Sequence, residues 1–275
     1  MTRCSGAGDR PHRRRGERSV RNILTIAGRE LRAYFSSPVA YVLLGAYLGL
    51  AGWFFFTNLR VFTEYLHFYS AIRPEQMSRL NLNEHVVQPV LSNLSVWLIF
   101  IVPAITMRMF PEEKRSGTYE LLLTSPLRPT ELVLGKFLSG LVLVLMMVGL
   151  SATFGFLLVL YGDPEVPVML SGYFGLVLMG ISMLALGTLI SSLTENVAIA
   201  YVGTVFTLLI LYTIGWLGET VMGAQGSVVK YLSITDHFQE LLKGTISTKD
   251  LAYYASLIAV ALFLTQRSVE SVRWR

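Results

Sequence analysis

The sequence predicts an all-α membrane protein. It should have six transmembrane helices, an N-terminal interfacial helix, a short cytoplasmic helix between the second and third spans, and a short outer-face helical element before the last span. Three observations lead there. The 275 residues are 53% hydrophobic but only 15% charged, against about a quarter charged in soluble domains. The apolar residues fall in runs of about 20, the length that crosses a bilayer. The basic residues are placed unevenly: nine of the 23 Lys and Arg lie in the first 32 residues, the bias of a cytoplasmic segment beside anionic lipid. The net charge of +5 is therefore assigned to the membrane surface and not to nucleic acid.

Residues 1–20 are expected to form a disordered basic tail. Its Arg13–Arg15 run is followed by Gly16, Glu17 and Arg18 and not by an apolar core, so it does not read as an export signal. The single cysteine, Cys4, excludes an intrachain disulfide. Over 21–37, Leu24, Ala27, Leu31, Tyr34 and Phe35 recur every three or four residues. That pattern predicts an amphipathic helix too polar to span, ended by Pro38.

Spans are predicted at about 39–59, 86–107, 132–160, 168–190, 197–217 and 251–265. Trp53 and Phe54–Phe56 sit toward the outer end of the first, where aromatic rings favour the headgroup region. Gly45 and Gly49 form a GxxxG pair, and Gly203 with Thr207 a second small-xxx-small pair. Such pairs let backbones approach, either within the chain or against a second copy. Residues 60–85 read as a polar outer loop. Glu64, His67, Glu75, Glu84 and His85 there lack helical metal-ligand spacing, so no metal is expected. Pro103 lies inside the second span and should kink it. Between the last two spans, Ser233 and Asp236 suggest a helix cap and Gly244 a helix stop. With the N-terminus inside, 17 Lys and Arg fall on the inner side and six on the outer. This places both termini in the cytoplasm.

The same count puts 108–136 in the cytoplasm. That segment carries nine charges: Arg108, Glu112, Glu113, Lys114, Arg115, Glu120, Arg128, Glu131 and Lys136. Pro111 can open a helical turn with Glu112 and Glu113 at its positive end. Gly117 permits a bend, Thr118 could cap a second short helix over Tyr119–Thr124, and Pro126 and Pro129 turn the chain into the third span.

The centres of the spans carry no Asp, Glu, Lys, Arg or His, which disfavours proton or ion carriage. No phosphate-loop pattern occurs: Gly135-Lys136 is followed by Phe137, and position 130 is Thr. Any ATPase that drives this protein must be another chain.

The stretch from Glu112 to Lys136 resembles the signature of ABC-2-type permeases, the membrane subunits of a class of ATP-binding-cassette systems. The pattern is an acidic residue, basic residues, Gly-Thr, Glu, a Leu pair, Pro, then Gly-Lys. It is matched by Glu113, Lys114, Arg115, Gly117, Thr118, Glu120, Leu122, Leu123, Pro126, Gly135 and Lys136. The resemblance covers a domain at 21–275 and implies two permease chains and two separate ATP-binding chains. The partner subunits would bind ATP and Mg, and this chain would bind no cofactor and catalyse no reaction. Within coupling segment 108–131, the residues meeting the ATPase would be Glu112, Glu113, Lys114, Arg115, Gly117, Thr118, Tyr119, Glu120, Leu122, Leu123 and Pro126. First and fifth spans usually meet across such a dimer, which would pair Gly45 and Gly49 with Gly203 and Thr207.

Tyr231–Tyr254 is similar to the permease associated with bacterial gliding motility. This implies a bacterial inner membrane and an auxiliary protein on the outer side. The alternative is a membrane scaffold that transmits motion and moves no cargo. In either case, charge reversal at Glu113 or Glu120 is expected to weaken association with the ATPase.

Overall fold

The computed structural model describes residues 10–72, 81–117, 128–220 and 224–272. Among these residues there are ten α-helices and no strand. They are α1 (Arg10–Ser36), α2 (Pro38–Ile72), α3 (Gln88–Thr106), α4 (Pro111–Arg115), α5 (Pro129–Tyr161), α6 (Val166–Leu193), α7 (Val197–Thr220), α8 (Ala224–Tyr231), α9 (Ile234–Leu242) and α10 (Thr248–Val272). A short π-helical turn, Asn83–Val87, leads into α3. Six helices, α2, α3, α5, α6, α7 and α10, are long and apolar enough to cross a membrane. The protein is an all-α membrane protein with six spans.

Two expectations are corrected. Residues 10–20 belong to α1 and are not a disordered tail. Arginine is a good helix former, and Pro11 falls in the first turn, where a missing N–H costs little. Residues 60–72 are helix and not loop, because α2 runs 35 residues to Ile72. No Pro or Gly interrupts the chain from Trp53 to Ile72, and Arg60 pairs with Glu64 one turn on at 3.2 Å. At 1.5 Å per residue α2 is about 52 Å long, against about 30 Å for the hydrocarbon core. Helices α5, α6 and α7 also outlast their apolar runs. The last span, expected over 251–265, is 25 residues long. Ser37 alone separates α1 from α2.

Helices α3 and α6 form the centre of the bundle. Over their most apolar stretches, 61% of residues are buried in each, against 22% for α2 and 17% for α7. Helix α6 packs against α3, α5, α7, α9 and α10. The close approaches use small residues. A Cβ on Gly187 would lie 2.5 Å from Thr106 Oγ1, and one on Gly180 2.8 Å from Val144 Cγ1. Several hydroxyls buried in the bundle donate within their own helices, as Ser139 to the Lys136 carbonyl at 2.6 Å and Thr188 to the Leu184 carbonyl at 2.7 Å, whereas Ser171 of α6 donates to the Leu241 carbonyl of α9 at 2.8 Å. Pro103 lies inside α3, which ends three residues later at Thr106, with Met107 N–H donating to the Pro103 carbonyl at 2.8 Å.

The spans alternate in direction, so α4 and α1 lie at one face of the bundle and α8 and α9 at the other. Two helices stand where one was expected before the last span. Ser233 caps α9 by accepting the Asp236 N–H at 3.3 Å. Gly244, at φ 84°, ends it. The N–H groups of Gly244 and Thr245 return to the carbonyls of Leu241 and Glu240, the paired closure that a left-handed glycine permits.

These contacts separate two kinds of glycine. Gly187→Val should wedge α3 from α6 and destabilise the fold by about 1–3 kcal/mol or more. Gly49→Val has nothing within 4 Å of its new carbon and should leave the stability of the single chain unchanged. Thermal melting of the two detergent-solubilised variants beside wild type checks both.

Candidate docking site at the α3–α5 junction

Chain geometry brings α4 out between two spans. Phe110, fully buried, precedes it, and Pro111 opens it. Glu112 and Glu113 occupy its first turn and Lys114 and Arg115 its last, each on the side that the peptide dipoles favour. Gly117 adopts φ 71°, a left-handed bend suited to glycine. Of the residues expected to meet an ATPase, Thr118, Tyr119, Glu120, Leu122, Leu123 and Pro126 lie outside the described residues.

The four charges of α4 divide into two rows. Glu112 and Arg115 point outward: Glu112 is 56% exposed at its side chain and pairs with Arg108 at 3.4 Å, and Arg115 is exposed. Glu113 and Lys114 bind the bundle on opposite sides. Lys114 Nζ donates to the Ser192 carbonyl at the end of α6 at 2.6 Å. That carbonyl also accepts from Ser268 Oγ of α10 at 3.3 Å. Glu113 Oε1 lies 2.8 Å from Lys136 Nζ of α5.

Lys136 is the centre of this arrangement. Its side chain is 2% exposed. A second carboxylate, Glu30 of α1, reaches it at 3.4 Å. Arg29 Nη2 meets Glu30 at 2.9 Å and Glu113 at 3.5 Å. Two cations and two carboxylates thus join α1, α4 and α5, with the Phe110 ring centroid 5.5 Å from Lys136 Nζ. A buried cation is tolerated only when paired in this way.

Helix α1 is held from Asn22 to Tyr34. Ile26 lies so close to Gly135 of α5 that a Cβ there would be 2.7 Å from Ile26 Cγ2. Asn22 Nδ2 donates to Glu131 Oε2 at 3.0 Å. Tyr34 donates its hydroxyl to the Ile105 carbonyl of α3 at 2.9 Å. Burial, with the charges of Glu30 and Glu112, pushes the Tyr34 hydroxyl pKa up, so it stays protonated and donating. Of the apolar face expected on α1, Leu24 is the exception and is 58% exposed.

Beside α4 an open groove of about 770 Å³ is lined by Met107, Arg115, Glu195, Asn196, Val197, Ala198 and Tyr201. Arg115 thus shares one surface with the α6–α7 turn, whereas Glu112 faces a cleft shared with Glu30, Tyr34 and Arg108. Sequence reasoning missed Arg29, Glu30, Ser192 and Glu195 as parts of this region. One signal was available: Lys136 sits between Gly135 and Phe137 inside an apolar run, and such a lysine requires a partner.

The glycines proposed for a second copy differ from one another. Gly45 and Gly49 have open space beside them, so packing within the described chain is not their use. Gly203 already faces Ile190 at 3.4 Å, an ordinary contact, and Thr207 donates to the Gly203 carbonyl at 2.9 Å.

Breaking a buried ion pair from one side leaves a charge uncompensated and costs about 3–5 kcal/mol. Glu113→Gln and Lys136→Met should each destabilise the detergent-solubilised chain substantially. The double variant should lose clearly less than the sum of the two, because it leaves no orphaned lysine. A double-mutant cycle on melting checks this, and additive losses would mean that the two residues act independently.

The comparisons with known proteins fit this architecture. No curated protein was found to match the chain. The profile of a family described as ABC-2 family transporter protein matches residues 37–266, from the start of α2 almost to the end of α10. This chain belongs to the ABC-2 transporter family.

Proposed function

We propose that this chain is the permease subunit of an ABC export system, seated in a bacterial cytoplasmic membrane with both termini inside. A separate ATP-binding subunit, which holds ATP and Mg, docks on segment 108–131. A second permease chain completes the transporter. The observation that carries this reading is the split of α4 into an outward row, Glu112 and Arg115, and an inward row, Glu113 and Lys114. A helix gripped by two spans and α1 on one side, with charges free to face the aqueous phase on the other, is suited to receive a push and deliver it to the bundle. The family match supports the coarse assignment.

The two rows have separate roles. Glu112 and Arg115, with Glu195 across the groove, meet the ATPase. Glu113 carries the resulting force into α1 and α5 through Lys136. Reversal at Glu113 therefore acts on transmission and stability more than on docking. The least buried spans, α2 and α7, are the surfaces through which the second permease chain packs, with Gly45 and Gly49 as its closest approach. The charge-free span centres favour a lipid, amphiphile, glycan or polypeptide as cargo over a small ion. The similarity of Tyr231–Tyr254 to a gliding-motility permease is the sole support for that subgroup and for an auxiliary protein on the outer side.

Co-purification with the ATP-binding subunit of the same system tests the docking surface. A Glu112→Lys, Arg115→Glu variant should recover about tenfold less ATPase at matched protein levels while keeping its melting temperature. Full recovery would overturn the docking assignment. Reconstitution in liposomes tests the transport reading: the chain alone should show no ATP hydrolysis, and the complex should hydrolyse ATP and move cargo. Hydrolysis that depends on the complex but moves no lipid, glycan or peptide would favour transmission of motion alone.

A further inference from the structure

At the face opposite α4, a histidine and an aspartate are buried together, with both ring nitrogens facing oxygen atoms. His237 of α9 and Asp250 in the first turn of α10 have side chains 9% and 7% exposed. His237 Nδ1 lies 2.6 Å from Asp250 Oδ1, and His237 Nε2 lies 3.0 Å from the Tyr231 carbonyl. Both ring nitrogens therefore face oxygen acceptors. A carbonyl can only accept, so Nε2 carries hydrogen. A proton must also lie between Nδ1 and the carboxyl group, since a bare ring nitrogen facing a carboxylate would set two lone pairs against each other. Imidazole is the stronger base of the two groups, and Asp250 sits at the positive end of α10, which favours its ionised form. The proton thus belongs on the ring.

The surroundings hold this pair in place. The ring stacks on Tyr253 with centroids 4.1 Å apart and meets the edges of Tyr231 and Tyr254 at 5.2 and 6.3 Å. Tyr253 and Tyr254 donate their hydroxyls to the Leu232 and Ile234 carbonyls at 2.8 and 2.9 Å. Among the described residues, the titratable groups facing His237 are Tyr231 from α8 and Asp250, Tyr253 and Tyr254 from α10. Among the described residues, α6 meets α9 through Gly172, Gly175 and Ser171. Helix α7 meets it through Gly215 and the Tyr212 carbonyl. Asp236, on α9 itself, is turned toward Gly215 and Ser233.

We propose that His237 and Asp250 form a proton-operated latch: an imidazolium–carboxylate pair that fastens α8 and α9 to the last span and opens when the pair loses that proton. The sign follows from the geometry. The latch is closed while the pair carries one proton between ring and carboxylate. Raising the pH removes it and leaves a neutral ring against a carboxylate. Strong acid adds a second proton to Asp250 and removes the charge that holds the ring. The fastening is complete only while ring and carboxylate share that one proton. Because α8 and α9 cover the ends of α6 and α7, the latch ties that cover to the pH of the compartment on this face.

Solid-state ¹⁵N NMR of the full chain in liposomes, with ¹⁵N-labelled histidine, tests the proton arrangement. Four histidines are present, and His237→Gln removes one set of signals and so assigns it. If that variant does not fold, dipolar contact with labelled tyrosine rings assigns the same signals in wild type. Both His237 ring nitrogens should appear protonated at neutral pH. An unprotonated nitrogen would overturn the ionic pair. Hydrogen exchange tests the fastening. In wild type, amide protection over 234–242 should fall as the pH rises. In Asp250→Asn it should already be about tenfold lower at neutral pH and lack the pH-dependent step. Wild-type protection and an intact step in Asp250→Asn would overturn the latch.

Discussion

The buried ion pair between Lys136 and Glu113 is the constraint around which one end of this protein is arranged. A lysine one turn inside an apolar span cannot stay charged without a partner, and one carboxylate at 2.8 Å leaves its other donors to satisfy. Glu30 supplies the second carboxylate, and Arg29 balances the excess negative charge. Meeting that need draws three helices from separate parts of the chain to one point. The position of α4 follows from it: with Glu113 held by α5 and Lys114 held by the end of α6, five residues are enough for a defined helix. Alone, a helix so short would not persist in water.

A compact acidic and basic motif thus gives α4 one held side and one open side. Adjacent residues of a helix point about 100° apart, so Glu112 through Arg115 fan around the axis. Two of them grip the bundle on different sides and two remain outside. Each pair is charged, yet the environments differ: Lys136 and Glu113 are screened from solvent, whereas the Arg108–Glu112 contact is half exposed and contributes little to stability. Neighbouring residues with similar side chains therefore differ in what they do, and position on the helix decides which.

Much of the architecture was legible in advance. Six apolar runs are a strong signal because lipid leaves few alternatives to helices. The cap at Ser233, the stop at Gly244 and the bend at Gly117 were readable because each depends on local chemistry. What escaped was polar helix and distant pairing. Residues 60–72 look like a loop because mixed polarity outside the bilayer resembles one, although Arg60 and Glu64 stand at helical spacing. The start of α1 was hidden by its density of arginine. Glu30, Glu113 and Lys136 lie far apart in sequence, as do His237 and Asp250. Their meetings depend on how whole helices pack, which no local pattern encodes. The GxxxG pair could be read two ways, and only the space beside Gly45 and Gly49 separates them.

The join between α1 and α2 has a mechanical consequence. Ser37 is the sole residue between them, and one residue spans about 3.8 Å, too little to absorb a displacement. The first helix is clamped to α5 by Ile26 and to the charge cluster by Arg29 and Glu30. The join thus ties that clamp directly to a rod about 52 Å long, which also packs against α3 and α5. The helix joined so tightly to the clamp is also the one that carries the two uncovered glycines.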